Sequence, residues 1–166
     1  LFIYKGRLSM KKKSNTKVFS LLVAIAAFVA IMCMFANIFS EKVDSGEGSI
    51  FVAMFGMHNS SYNVVWPIVG GFVALIVLTL VGLTGFILAD SGKKVIPLIE
   101  LVLAAGVGVS FFFVINFFIS SNGFNPEIFY AAHSEISLGA GSICVIVFSF
   151  IAAALALLNL VADSKK

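Results

Sequence analysis

Four stretches of this chain are apolar over more than 20 residues, and short polar segments separate them. About 20 such residues, rising 1.5 Å each, cross a hydrocarbon core roughly 30 Å thick. The pattern therefore predicts four transmembrane helices, over 18–39, 64–88, 95–119 and 136–162. Between them lie loops at 40–63 and 120–135 on one side, with a short turn on the other. The expected fold is all-α: one integral membrane domain, 18–162, folded as an antiparallel four-helix bundle. A leader and basic flank, 1–17, precede it, and a short tail, 163–166, follows.

The local signals refine each span. The first exceeds the 7–15 residues of a signal-peptide core and lacks an A-x-A exit, so it is read as a retained helix. Ala26, Ala27 and Ala30 give it a small-residue face that lets a neighbour approach closely. The second opens with Asn63 as N-cap, Tyr62 and Trp66 at interfacial depth and Pro67 in the first turn, where its missing N–H does no harm. Gly70 and Gly71 permit close packing near its outer end. Asp90-Ser91-Gly92-Lys93-Lys94 is a tight turn, so the second and third spans form a hairpin, and Pro97 again falls in a first turn. Asn125-Pro126-Glu127 reads as N-cap, N1 proline and early-turn acid, predicting a short helix through Tyr130. The fourth span opens with Gly139-Ala140-Gly141 and carries Ala152 and Ala156 four apart. In the first loop the apolar run Ser49 to Met57 is too short to span a bilayer; it lies at the interface or forms a short strand or hairpin over the bundle.

Composition agrees with a membrane protein. Of 166 residues, 60% are hydrophobic and 11% charged, with a mean hydropathy of +1.09, against about 25% charged in soluble domains. No room remains for a separate soluble catalytic domain. The net charge of +3 sits mostly on lysines beside the membrane, where it sets orientation and meets anionic lipid, so nucleic acid is not an expected partner. With the amino terminus cytoplasmic, Lys11, Lys12, Lys13, Lys17, Lys93, Lys94, Lys165 and Lys166 are inside and Lys42 alone is outside. Both termini are then cytoplasmic, and the loops carrying five of the eight acids face out of the plasma membrane. Met10-Lys11-Lys12-Lys13 has the form of a bacterial amino terminus, and Lys5-Gly6-Arg7 can be encoded by a purine-rich ribosome-binding sequence. Translation is accordingly expected to start at Met10, leaving 1–9 untranslated. Asn59-Ser60-Ser61 fits the glycosylation pattern, a short motif that is common by chance.

Candidate chemistry is sparse. Glu100 is the one acid deep in an apolar run; inside a bilayer it must find a partner, stay protonated or face something wet. Counting depth along the helices places Ser20, Thr84, Glu100 and Asn159 within about two turns of the cytoplasmic ends, one from each span, as a candidate intramembrane polar layer. In it Glu100 is protonated or hydrogen-bonded to Thr84 or Asn159. Asn37, Asn116 and Ser142 sit in the outer half. Glu100 and Asn116 point about 160° apart on their helix, which speaks against a continuous aqueous stripe. Cys33 and Cys144 are single cysteines, read as small buried hydrophobes rather than a C-x-x-C redox or metal pair. His58 and His133, with Glu127 and Glu135, lack metal-ligand spacing. No Ser-His-Asp order, nucleophile elbow or phosphate-binding loop is present, so no catalytic residue, metal or cofactor is expected.

The lysine-rich start, four spans, outer first loop with a segment ending near Phe55-Gly56, Lys-containing turn and Gly-rich start of the fourth span resemble the small four-helix, tetraspan membrane proteins of uncharacterised function found in Gram-positive bacteria. Their topology is similar to that of claudins, but the paired cysteines and Trp motif of the claudin first loop are missing. The expected role is a non-enzymatic scaffold or accessory subunit acting through its outer loops, with the bilayer, a membrane-protein partner or further copies of itself as partners. The alternatives are a small transporter or channel component using Glu100, and a membrane enzyme acting on lipid.

Overall fold

The computed structural model describes residues 2–40, 50, 54, 55, 63–88, 95–134 and 136–164. In chain order these form α1 (Phe2–Cys33), β1 (Phe39–Ser40), α2 (Trp66–Leu88), α3 (Val95–Phe112), α4 (Val114–Ser121), α5 (Pro126–Ala132), β2 (Ser137–Leu138) and α6 (Ala140–Ser164). Four segments, Thr16–Cys33, Trp66–Leu88, Val95–Phe112 and Ala140–Ala162, are long and apolar enough to cross a membrane. The chain is therefore a multi-pass membrane protein by length and composition.

The four long helices pack as a ring. α1 lies against α2 and α6, α3 closes the other two sides, and α1 and α3 face each other across the diagonal. Lipid tails are as apolar as leucine, so helix association here relies on van der Waals fit rather than on exclusion from water. The seams are accordingly cut for close approach. A methyl placed on Gly82 would stand 2.9 Å from Ala24 Cβ and from the Ser20 carbonyl oxygen, and one on Gly71 would stand 2.9 Å from the Phe111 ring. Ala27, Ala30, Leu75, Leu78, Ala104 and Ala156 fill the interior with no exposure at all. Leu22, Leu80, Val102 and Leu158 stand exposed on the outer faces. Gly70, expected at a close packing, points into open space, and Gly71 alone makes the contact.

Several boundaries differ from those read off the hydropathy. The first span ends at Cys33, not at residue 39. Met34, Phe35 and Ala36 bond back three residues, to Ile31, Met32 and Cys33, which tightens the last turn and stops the helix. β1 then pairs antiparallel with β2, Phe39 opposite Leu138 and Ser40 opposite Ser137. The fourth span therefore starts at Ala140 rather than 136. The third span, expected over 95–119, breaks at Phe113, whose φ of −100° and ψ of 12° separate α3 from α4. Ser110 Oγ donates to the Gly106 carbonyl in the preceding turn at 2.8 Å, a back-bond of the kind that bends helices. α2 starts at Trp66, with the Val65 carbonyl accepting from the N–H groups of Ile68 and Val69. Asn63 is not its cap: the Asn63 N–H donates to Asn122 Oδ1 at 2.6 Å and its Nδ2 to the Ser121 carbonyl at 3.1 Å, tying the two loops together. The tight turn at 89–94 and most of the 49–57 run lie outside the described residues. Of that run, Ile50 and Met54 are fully buried, and the Ile50 N–H donates to the Ala36 carbonyl.

Candidate functional site

Two places gather polar or recognisable chemistry. The first is the end of the bundle that holds the start of the Thr16–Cys33 span and the end of α6. Ser20, Glu100 and Asn159 are all buried there, Glu100 and Asn159 with no exposure. Asn159 Nδ2 donates to Ser20 Oγ at 3.2 Å. Yet Glu100 Oε1 and Oε2 and Asn159 Oδ1 have no hydrogen-bond partner among the described residues. Three buried oxygens at this end are therefore left without a donor, and a buried acceptor left unmade costs about 1–3 kcal/mol.

Thr84, expected in the same layer, does not join it. Its side chain is exposed and bonds its own helix, Oγ1 donating to the Leu80 carbonyl at 2.8 Å. The interior position on α2 is Gly85, one residue and about 100° further round the helix. A methyl there would stand 2.7 Å from Ser20 Oγ and 3.0 Å from Ile96 Cγ2. α2 thus supplies a gap into which Ser20 fits, and the polar node is built by α1, α3 and α6 alone. Ser149, two to three turns along α6 on the same inward face, is fully buried and its Oγ has no partner among the described residues. Its recurrence with Ser142, Ala152, Ala156 and Asn159 at helical spacing was the signal that could have marked it.

The second place is a collar of backbone and aromatic contacts at the opposite end. Gly139 and Gly141 let the start of α6 cross the 36–38 segment so closely that a side-chain carbon on Gly139 would overlap the Asn37 carbonyl oxygen. The Gly139 and Gly141 N–H groups donate to Ile38 and Asn37, and the Ser142 hydroxyl donates to the Ile38 carbonyl at 2.9 Å. The Asn37 carbonyl and the Ser142 hydroxyl therefore serve this crossing.

Beside the crossing sits a cluster of rings. Phe118 meets Phe39 edge-on at 5.1 Å between centroids, Phe124 stacks on Phe129 at 5.6 Å, and Phe129 contacts the His133 ring at 4.7 Å. Such pairs each contribute about 0.5–1.5 kcal/mol beyond their burial. The Asn125 side chain caps α5 by accepting from the Glu127 and Ile128 N–H groups, with Pro126 in the first turn, as the sequence predicts. The Tyr130 hydroxyl donates to Asn116 Oδ1 at 2.8 Å, fixing α5 over α4.

α5 buries none of its residues. A recess of about 310 Å³ opens beside it, lined by Phe124, Asn125, Ile128, Phe129, Ala132 and His133, and Ile128 is 69% exposed. Among the described residues no three His, Cys, Asp or Glu side chains come together; His58 and Glu135 lie outside those residues.

Compared with protein-family models, curated proteins and solved structures, the chain matches none of them.

Proposed function

We propose that this protein is a non-enzymatic scaffold or accessory subunit of the plasma membrane. In this reading it spans the bilayer as an antiparallel four-helix bundle with both termini cytoplasmic and recognises a membrane-protein partner through its outer face. The observation that carries this reading is α5, a capped helix seated on an aromatic cluster through Phe129, with none of its residues fully buried and a recess beside Ile128. Exposed apolar side chains on a rigid element suit docking, because little ordering entropy opposes the contact. The lysine asymmetry supports the orientation that puts α5 outside. The test compares what co-purifies in mild detergent from native membranes with the wild type and with Ile128→Asp. Selective loss of one membrane protein from the Ile128→Asp sample is expected, and an unchanged set of companions contradicts the reading.

A second reading, a transporter or channel component, is favoured by one feature: Glu100 is fully buried with both carboxyl oxygens unpartnered. Intramembrane acids often mark ion pathways. Against it, the polar node occupies one end of the bundle, and the fully buried Ala27, Ala30, Leu75, Leu78 and Ala104 lie between it and the collar.

A further inference from the structure

Cys33 and Cys144 are 111 residues apart in the sequence, with nothing in their spacing to link them. The fold links them. α1 and α6 run antiparallel, and their register is pinned at both ends. At the collar, Phe39 pairs with Leu138, and the Gly141 N–H donates to Asn37. At the far end, Asn159 donates to Ser20. Gly141 packs directly on the Ala36 carbonyl, 2.8 Å from the position of a would-be Cβ. One helical turn further into the bundle from Ala36 and from Gly141 lie Cys33 and Cys144. That register sets the two thiols on adjoining turns of the two helices; both are free, and both are only partly buried. The small residues at this crossing, Ala30 and Gly141 among them, bring the helices close, and closeness is what a disulfide needs, since its Cα atoms must lie within about 7 Å.

We propose that Cys33 and Cys144 are a redox-modification site, a thiol pair that a disulfide-bearing oxidant converts to an intramolecular disulfide joining α1 to α6. The step balances as thiol–disulfide exchange. One cysteine, as its thiolate, attacks a sulfur of the oxidant's disulfide; a mixed disulfide forms and the oxidant's other sulfur leaves as a thiolate. The second cysteine attacks the mixed disulfide, the Cys33–Cys144 bond forms, and the oxidant departs as two thiols. Two hydrogens and two electrons pass from the pair to the oxidant. The pair lies next to the collar, so in the proposed orientation it sits towards the outer, oxidising side, where disulfides persist. The bridge would fasten the two helices that carry the collar and leave α5 and its recess untouched, so the inference stands whether or not a partner docks there.

The test uses the full chain purified in mild detergent, with oxidised glutathione as the probe, followed by acid quenching, denaturation, maleimide mass-tagging and intact-mass measurement. The wild type is expected to lose the mass of two hydrogens, to lose both tagging sites together, and to recover both on reduction. Its melting temperature is expected to rise on oxidation. Cys33→Ser and Cys144→Ser, checked for unchanged helix content, are each expected to keep a glutathione adduct in place of the bridge and to show no such rise. Glutathione adducts on both cysteines of one wild-type molecule, a bridge between two copies, or two thiols that stay free would each overturn the proposal.

Discussion

Gly85 lies so close to Ser20 that a methyl on its α-carbon would stand 2.7 Å from the Ser20 hydroxyl oxygen. That contact sets how near α2 and α1 approach beside the polar node, and Gly82 repeats it three residues earlier against Ala24.

Gly85→Ala is therefore expected to force the helices apart and to destabilise the bundle by about 1–3 kcal/mol, the usual range for overpacking. Gly106→Ala is the control, because nothing lies within 4 Å of its would-be Cβ; it should be neutral or slightly stabilising. Thermal unfolding in detergent checks both, and equal effects at the two sites would contradict the packing described.

Asn125→Ala removes the side chain that accepts from Glu127 and Ile128. Loss of such a cap costs about 0.5–2 kcal/mol, and α5 has no buried residue to compensate. Amide exchange is expected to quicken across 127–132 and to stay unchanged in α6.

Orientation is tested with single cysteines in a background carrying Cys33→Ser and Cys144→Ser. Cysteine at Ser134, which is exposed, should react with an impermeant thiol reagent in whole cells, and cysteine at Ser91 should not. The reverse pattern would invert the bundle.

Glu100 separates the two functional readings. In the scaffold reading, Glu100→Gln is expected to fold normally, since an amide of the same shape fits the same buried space. Glu100→Leu removes two buried acceptors that have no partner among the described residues and keeps the Asn159–Ser20 hydrogen bond, so it is expected to be neutral or stabilising. Wild-type proteoliposomes are expected to carry no proton or cation flux. Flux that disappears in Glu100→Gln at equal thermal stability would move the protein to the transporter class.

How much of this was legible in the sequence depended on how local each signal is. The four long helices could be read because hydropathy alone reports them, and the α5 cap because Asn125, Pro126 and Glu127 are adjacent. The end of α1 could not be read: Met34, Phe35 and Ala36 continue the apolar run, and hydropathy does not report the tightened turn in which they bond back to Ile31, Met32 and Cys33. The break at Phe113 is hidden in a run of three phenylalanines, across which hydropathy does not change. Depth counting placed Ser20, Glu100 and Asn159 at the same end because rise per residue is fixed. It could not tell Thr84 from Gly85, because depth carries no information about which way a side chain points. The proposed link between Cys33 and Cys144 was invisible because the register between two helices so far apart in sequence is set by the collar.

The most direct measurement of the central claim is site-specific photocrosslinking in native membranes, with the photoreactive side chain at position 128 or, as reference, at position 102, where Val102 stands exposed on the outside of the bundle. The account predicts one discrete protein adduct from position 128 and lipid adducts alone from position 102. Lipid adducts alone from both positions, or the same protein adducts from both, would contradict recognition through the outer face.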